Sequence, residues 1–158
     1  METGLFGRLG GQRPKRGKVF PLALSESEWR RKLTAEQHHV LRRHGTERAG
    51  SSPLDKEYGA GVYRCAGCGS PVFSSADKFN SGTGWPSFWA PLEDAVDTEI
   101  DRSLFVTRTE VHCRRCGGHL GHVFEDGPPP TGLRYCINGI ALDFRAGEAL
   151  PEDAAKPE

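Results

Sequence analysis

The distribution of apolar and polar residues divides the chain into a short helical segment and a longer β-rich segment. Ser25 with Glu28, and Thr34 with Gln37, have the spacing of capping boxes, in which the residue before a helix and the third helical residue exchange hydrogen bonds. These signals predict two short helices, the second of which ends near Gly45. We expect both helices to pack on the core as an N-terminal cover.

From Tyr58 onward, short runs of β-branched and aromatic residues alternate with glycine-containing turns. The predicted strands are residues 61–64, 71–73, 104–107 and 134–144. In the last run, side chains two positions apart share a face, so Cys136 and Asn138 are expected to project in the same direction. The pattern predicts a mainly β protein with an antiparallel core and short N-terminal helices.

The two ends of the chain lack this periodicity. Residues 1–24 mix Gly, Arg, Lys and Pro and predict a flexible arm, and residues 146–158 predict a disordered tail. The basic start has the composition of an organelle presequence, but Gly10 and Pro14 would break the amphipathic helix that such a segment needs. Residues 25–145 are expected to form one domain.

Composition and charge narrow the class of protein. The chain has 158 residues with 21 Lys plus Arg and 21 Asp plus Glu, so no net charge attracts nucleic acid or a membrane surface. A hydrophobic share of 36% is that of an ordinary globular protein, and no apolar run reaches the roughly 20 residues needed to cross a bilayer. We expect a cytoplasmic, monomeric protein that recognises its partner locally.

Four of the five cysteines form two C-x-x-C hooks, Cys65 with Cys68 and Cys113 with Cys116. Two hooks complete the thiolate tetrahedron of a closed structural zinc site, and the glycine after each hook lets the chain fold back so that backbone amides reach the sulfurs. The long segment between the hooks places them in different hairpins, so one Zn²⁺ per chain would join two sheets. Two disulfides or reactive C-x-x-C pairs are the alternative, but the βαβ pattern of thioredoxin-like proteins is missing.

The fifth cysteine, Cys136, has the neighbours of a working nucleophile. Arg134 lies two residues upstream on the same strand face and would lower the pKa of the thiol. His119 and His122 supply two imidazoles separated by a turn that glycine permits, so both rings could meet at one point. The alternatives are that Cys136 is buried and inert and that the two histidines are alternate zinc ligands.

A glycine-bracketed loop carries Trp85, Phe88 and Trp89, and aromatic residues on a loop usually indicate recognition. The alternative is that these rings fill the core. Three further histidines, His38, His39 and His44, fall in the predicted helical cover, with no cysteine or carboxylate at ligand spacing. We expect these three to have no chemical role.

Three motifs, in order, make the chain resemble the methionine-R-sulfoxide reductase family of the B type. They are S-G-T-G-W-P-S-F at residues 81–88, the segment 108–128 that contains H-L-G-H-V-F-E-D-G-P, and T-G-L-R-Y-C-I-N at residues 131–138. The likeness covers roughly residues 25–145. It implies a zinc-clipped fold of two antiparallel sheets, the β-tent type, with the metal on the side away from the active site.

The resemblance also implies residue roles. Cys136 would attack the sulfur of an oxidised methionine in a protein or peptide, while His119 and His122, aided by Asn138, bind and protonate the sulfoxide oxygen. Arg134 would help to hold the thiolate. Trp85, with Phe88 beside it, would form the substrate wall and select the R epimer through the S-methyl group.

Many members of this family carry a second, resolving cysteine just before the Gly-Trp-Pro motif, where this chain has Thr83. The Cys136 sulfenic acid would therefore be reduced by an external thiol such as thioredoxin, glutaredoxin or a small thiol. Two other functions compete with this interpretation. One is a zinc-ribbon module that binds nucleic acid through Arg114, Arg115 and the tryptophans, and the other is a cysteine hydrolase that pairs Cys136 with His122.

Overall fold

The structure, a computed structural model, describes residues 19–150, and the predicted arm and tail fall largely outside the described residues. Within this range no helix has the length and apolarity of a membrane span. The described part contains two α-helices and nine strands: α1 (Glu26–Lys32), α2 (Ala35–Arg43), β1 (Gly61–Cys65), β2 (Pro71–Ser74), β3 (Lys78–Phe79), β4 (Ser87–Phe88), β5 (Val96–Asp101), β6 (Arg108–Cys113), β7 (His119–Phe124), β8 (Arg134–Ile137) and β9 (Leu142–Ala146).

Both helices begin at the capping boxes that the sequence predicts. The Ser25 amide donates to Glu28 at 2.9 Å and the Glu28 amide donates to the Ser25 hydroxyl at 3.1 Å, and Thr34 and Gln37 repeat the exchange before α2. Helix α2 ends at Arg43, and His44 takes the left-handed conformation, with φ of 59°, that turns the chain out of the helix.

The strands form two antiparallel sheets, which confirms the predicted fold class. The smaller sheet has the order β2-β1-β9, and the larger has the order β3-β4-β8-β7-β6-β5. Each cysteine hook lies in a hairpin turn of a different sheet, one between β1 and β2 and the other between β6 and β7. The prediction that each hook ends its own hairpin is therefore confirmed.

Two of the strand predictions were wrong in detail. Residues 104–107 do not form a strand, because a 3₁₀ helix over Ser103–Phe105 fills the connection between β5 and β6. The run 134–144 is two strands in different sheets, separated by a 3₁₀ helix over Gly139–Ala141. Cys136 and Asn138 therefore do not belong to one continuous strand, because β8 ends at Ile137.

The hydrophobic core lies between the helical cover and the two sheets. Trp29 from α1 and Leu41 from α2 are buried in the same cluster as Leu120 of β7 and Ile137 of β8. The Arg42 guanidinium lies 4.3 Å from the Trp29 ring centre and donates to the carbonyl of Cys116 at 3.0 Å. The cover is thus attached both to the core and to one of the cysteine hooks.

Candidate functional site

Cys136 lies on β8 in the middle of the larger sheet. Its neighbours across the ladder are Ser87 on β4 and His122 on β7. Residues directly opposite each other in an antiparallel pair project to the same face, with Cβ atoms about 5 Å apart. The thiol is half-buried and unbonded to any other cysteine. The sheet register alone therefore places an imidazole beside the thiol.

The electrostatic setting of Cys136 differs from the sequence expectation. Burial raises the pKa of the thiol above its ordinary value, and this effect outweighs the nearby Arg134 charge and a hydrogen bond from Thr83, both of which lower it. Arg134 is also shared, because its guanidinium donates to Asp126 at 2.8 and 3.2 Å. In the resting site Cys136 is accordingly a thiol at neutral pH.

A bulge in β7 brings the two histidines together. Residues 119 and 122 would face opposite sides of a regular strand, but the β6–β7 register shifts between Val111 and His112. The rings of His119 and His122 consequently lie 5.3 Å apart. The predicted turn between them does not exist. Gly121 instead lets β7 lie close to β8, since a Cβ there would collide with the backbone oxygen of Cys136.

His119 is held by a buried carboxylate. Its Nδ1 lies 2.8 Å from Oε2 of Glu110, which is 3% exposed, and His44 reaches the same oxygen at 3.2 Å. Burial lowers the pKa of His119 to about 4, although Glu110 acts in the opposite direction. His119 is therefore neutral near pH 7, and its buried Nε2 has no hydrogen-bond partner among the described residues.

His122 is held by a second carboxylate. Its Nε2 lies 2.8 Å from Oδ2 of Asp101, the last residue of β5. Burial lowers the pKa of His122, and the Asp101 charge partly compensates. Each imidazole of the site thus has one nitrogen engaged by its own carboxylate.

The Trp85 indole is fixed by the segment that follows α2. Its Nε1 donates to the carbonyl of Glu47 at 3.0 Å, and the Glu47 amide donates to the side-chain oxygen of Asn138 at 2.9 Å. The Asn138 nitrogen donates to the carbonyl of Leu120 at 3.0 Å. Both the oxygen and the nitrogen of the Asn138 side-chain amide are therefore engaged by backbone, whereas the resemblance implied that Asn138 aids the two histidines at the sulfoxide oxygen.

A chain of hydroxyls leads from the strand beside Cys136 to the loop above it. Ser87 lies 2.7 Å from Ser81, and Ser81 lies 2.8 Å from Thr83, measured between hydroxyl oxygens. The Thr83 side chain lies near enough to Cys136 to lower the pKa of its thiol. The position that the resemblance assigns to a resolving cysteine in many family members is thus occupied here by a hydroxyl beside Cys136.

Phe88 lies in the core rather than at this site. Its ring is fully buried and stacks on Phe73 at 4.4 Å between ring centres, with Tyr63 edge-on at 5.1 Å. Because no part of the ring is exposed, it offers no surface to a substrate. Of the two alternatives for this aromatic residue, the geometry corresponds to the one in which it fills the core.

The four remaining cysteines form a compact cluster, as their spacing predicts. The sulfurs of Cys65 and Cys116 lie 3.8 Å apart, those of Cys68 and Cys113 lie 3.6 Å apart, and all four fall within 4.8 Å of one another. A tetrahedral Zn²⁺ with Zn–S bonds of about 2.3 Å places its sulfurs roughly 3.8 Å apart. The donor set and the spacing both fit a structural zinc ion.

The local backbone and charges support the same interpretation. Gly69 and Gly117, which follow the hooks, have φ of 83° and 77°, and their amides donate to the carbonyls of the first cysteine of each hook. The Gly67 amide donates to the Cys65 sulfur at 3.3 Å. Four adjacent thiolates need a cation at their centre.

Five residues of this arrangement were not predicted from the sequence, and one of them, His44, was expected to have no chemical role. His44 was excluded, yet it contacts Glu110 and its ring lies 4.9 Å from that of His119. No local signal marks the others, because each reaches the site through sheet pairing or through a loop from a distant part of the chain. The four residues other than His44 are Glu47, Asp101, Glu110 and Asp126.

Comparisons with known proteins identify relatives along most of the chain. A family model described as the SelR domain matches residues 33–146. The chain is 57% identical over 125 residues to peptide methionine sulfoxide reductase MsrB of Methanosarcina barkeri, covering 78% of this chain and 88% of that protein. It is 53% identical over 121 residues to the protein of the same name from Agrobacterium fabrum, covering 76% and 90%. The corresponding protein of Hahella chejuensis is 50% identical over 132 residues, covering 82% and 95%.

Proposed function

This chain belongs to the MsrB family of methionine-R-sulfoxide reductases, and from that premise we propose that it reduces methionine-R-sulfoxide, mainly in oxidised proteins and peptides, to methionine. One observation carries the proposal for its active site. Cys136, the cysteine outside the metal cluster, lies directly opposite His122 on the neighbouring strand, and a second imidazole lies 5.3 Å from that ring. A thiol and two imidazoles at one point can attack a sulfur atom and protonate the oxygen that it carries.

The chemistry needs no outside electron donor in its first half. The sulfur of Cys136 takes the sulfoxide oxygen, the S–O bond of the substrate breaks, and the thiol proton ends on the new Cys136 sulfenic acid as methionine leaves. Because the resting thiol is protonated, an imidazole must move that proton to the sulfoxide oxygen as the sulfur attacks. We assign this transfer to the His119 and His122 pair.

The remaining site residues support these groups. Arg134 lowers the pKa of the thiol against the effect of burial. Asn138 acts through the backbone of Glu47 and Leu120, which it holds in place. Trp85 forms the wall that contacts the S-methyl group, and its fixed indole supports epimer selection, because the mirror configuration would exchange methyl and oxygen. We assign no direct substrate contact to Phe88.

We further propose that the second half of the cycle uses an external thiol. The other four cysteines lie together in the metal cluster, and Thr83 contacts Cys136 where a resolving cysteine would otherwise stand. A first thiol condenses with the sulfenic acid and releases water, and a second thiol, from the same dithiol in thioredoxin or from another small molecule, reduces the resulting disulfide.

The remaining parts of the proposal concern the chain as a whole. Residues 25–145 form the reductase domain. The arm (1–24) and tail (146–158) predicted from the sequence lie largely outside the described residues, although the Leu22 amide donates to the carbonyl of Arg115 and Ala146 is the last residue of β9. One structural Zn²⁺ is held by the four clustered cysteines. The free state of all five cysteines is consistent with a reducing compartment, the cytoplasm, and we propose a monomer that binds neither nucleic acid nor membrane.

An epimer-resolved assay tests this function. Purified protein with dithiothreitol should consume the R epimer of a peptide methionine sulfoxide and leave the S epimer, and Cys136→Ser should abolish turnover while keeping the thermal unfolding profile. Trp85→Phe should reduce the preference for R over S, whereas the control Trp89→Phe should not. Hydrolysis of an ester by Cys136 without consumption of either epimer would instead support a cysteine hydrolase, and equal activity of the Cys136→Ser protein would refute the assignment.

A further inference from the structure

We propose that Asp101 is a positioning residue for His122, which it holds as the Nε2–H tautomer and as the proton-transferring imidazole of the site. This inference rests on the proposed reductase function for its role in turnover. The observation behind it is the 2.8 Å contact between Oδ2 of Asp101 and Nε2 of His122. Asp101 ends the edge strand β5, whereas His122 lies on β7, so the carboxylate reaches across β6 to the ring.

The Asp101 carboxylate is itself fixed on both oxygens. The Ser103 amide donates to Oδ1 at 2.9 Å, and the Arg108 guanidinium lies 3.5 Å from Oδ2, the oxygen that also faces His122. Arg108 is the residue paired with Asp101 in the β5–β6 ladder. Because both oxygens of the Asp101 carboxylate are held, its position is fixed, and it orients the His122 ring.

The protonation state of Asp101 determines the tautomer of His122. Burial acts to raise the pKa of Asp101, but the hydrogen bonds from His122 and Ser103 outweigh it and the pKa lies below its ordinary value. An ionised carboxylate only accepts hydrogen bonds. The nitrogen that faces it, Nε2 of His122, must therefore carry a hydrogen, and Nδ1 is the nitrogen that takes and returns a proton.

This arrangement defines the step that Asp101 supports. The thiol proton of Cys136 passes to Nδ1 of His122 as the Cys136 sulfur attacks the sulfoxide sulfur. The proton is then delivered to the sulfoxide oxygen, which leaves methionine and ends on Cys136 as the sulfenic acid. The transient imidazolium faces the Asp101 carboxylate, which stabilises it. Asp101 touches neither the substrate nor the reacting sulfur, and it acts only through His122.

The groups that face His122 predict opposite effects for two substitutions. The charged and titratable groups that face His122 are Asp101 on β5, Arg108 and Glu110 on β6, His119 on β7 and Cys136 on β8. Asp101 raises the pKa of His122 and Arg108 lowers it. Removal of the carboxylate should therefore make His122 harder to protonate, and removal of the guanidinium should make it easier.

The test is a histidine ¹⁵N NMR titration of the full chain in its metal-bound, reduced state, together with a pH profile of turnover. We expect His122 of the unmodified protein to be the Nε2–H tautomer. Asp101→Asn should lower its titration midpoint by about one pH unit and Arg108→Gln should raise it by a similar amount. Asp143→Asn, which removes the same charge from the smaller sheet, should leave the midpoint unchanged.

Turnover should follow the titration. In Asp101→Asn we expect kcat for the R-sulfoxide to fall about a hundredfold, the lower end of the effect of a positioned acid or base, with KM nearly unchanged. The acidic limb of its pH profile, which reports protonation of His122, should move to lower pH, and that of Arg108→Gln should move to higher pH. If Asp101→Asn does not fold, the tautomer of His122 in the unmodified protein still tests the inference, because the Asp101 carboxylate requires a hydrogen on Nε2.

Three results would overturn the inference: an Nδ1–H tautomer of His122 in the unmodified protein, equal midpoints in all variants, or midpoints that move in the same direction in both. A loss of activity in Asp101→Asn with an unchanged midpoint would indicate a merely structural role. The outcomes also separate the Asp101 proposal from the proposed reductase function. If the midpoints shift as predicted but no sulfoxide is reduced, Asp101 remains the positioning residue of His122 and the reductase function is rejected.

Discussion

In the proposed reaction Cys136 begins as a thiol, and this affects how each neighbouring residue is interpreted. Burial deprives the Cys136 thiolate of hydration, and this cost is larger than the attraction to the Arg134 guanidinium, which Asp126 already engages. Ionisation must therefore accompany attack rather than precede it. The site provides for this with a hydroxyl on one side of the sulfur, from Thr83, and an imidazole on the other, from His122.

The contribution of Thr83 is testable in the resting protein. Thr83→Val keeps the shape of the side chain and removes the hydrogen bond, so the pKa of Cys136 should rise by about one further unit, the equivalent of one hydrogen bond to a charged group. The rate of alkylation of Cys136 by iodoacetamide, measured as a function of pH, gives this value directly. The matched control Thr83→Ser should restore the original profile. An identical pH profile for Thr83→Val would show that the hydroxyl does not stabilise the thiolate.

At the scale of elements, the segment after α2 connects parts of the site that are distant in the chain. The Glu47 carboxylate accepts hydrogen bonds from the amides of Gly139 and Ile140 at 2.8 and 2.9 Å, while the backbone of the same residue holds Trp85 and Asn138. The 3₁₀ helix that separates β8 from β9 is thus attached to the wall proposed for the substrate. Glu47 therefore positions both the 3₁₀ helix and the Trp85 indole.

Removal of that carboxylate should loosen both parts together. In Glu47→Ala we expect unfolding to require about 2 kcal/mol less, because two amides lose a half-buried charged partner, and KM for the R-sulfoxide to rise several-fold as the indole loses its support. Chemical denaturation and steady-state kinetics measure the two effects. Glu36→Ala, an exposed residue of α2, is the matched control and should change neither. A change in stability without a change in KM would separate Glu47 from the substrate wall.

The elements that sequence alone could predict are those with local signals. The capping boxes at Ser25 and Thr34 place both helices, and each C-x-x-C hook marks the turn of a hairpin. The bulge in β7 has no such signal, because it depends on the register with β6. For the same reason, neither carboxylate behind the imidazoles could be found. Asp101 and Glu110 acquire their partners only when β5, β6 and β7 pair.

At the scale of the whole molecule, the cysteine cluster joins the two sheets. Cys65 and Cys68 belong to the β1–β2 hairpin of the smaller sheet, and Cys113 and Cys116 to the β6–β7 hairpin of the larger. The helical cover reaches the same place through the contact of Arg42 with the Cys116 carbonyl. The core of a small domain and its two sheets therefore meet at the cysteine cluster, while the proposed nucleophile lies on a different strand, β8.

Metal removal should therefore unfold the chain rather than only inactivate it. Binding of a structural Zn²⁺ to such a site contributes about 10–16 kcal/mol at neutral pH, whereas a domain of this size is stable by about 5–15 kcal/mol in total, so the metal-free chain has little or no stability left. We expect elemental analysis to give one zinc per chain, and a strong chelator to abolish the cooperative thermal transition, with zinc restoring it. Cys136→Ser should behave like the unmodified protein in this experiment and Cys116→Ser should not, because only Cys116 lies in the cluster. A chelated protein that keeps its transition temperature would show that packing between the sheets is sufficient, and that the four sulfurs are not what holds them together.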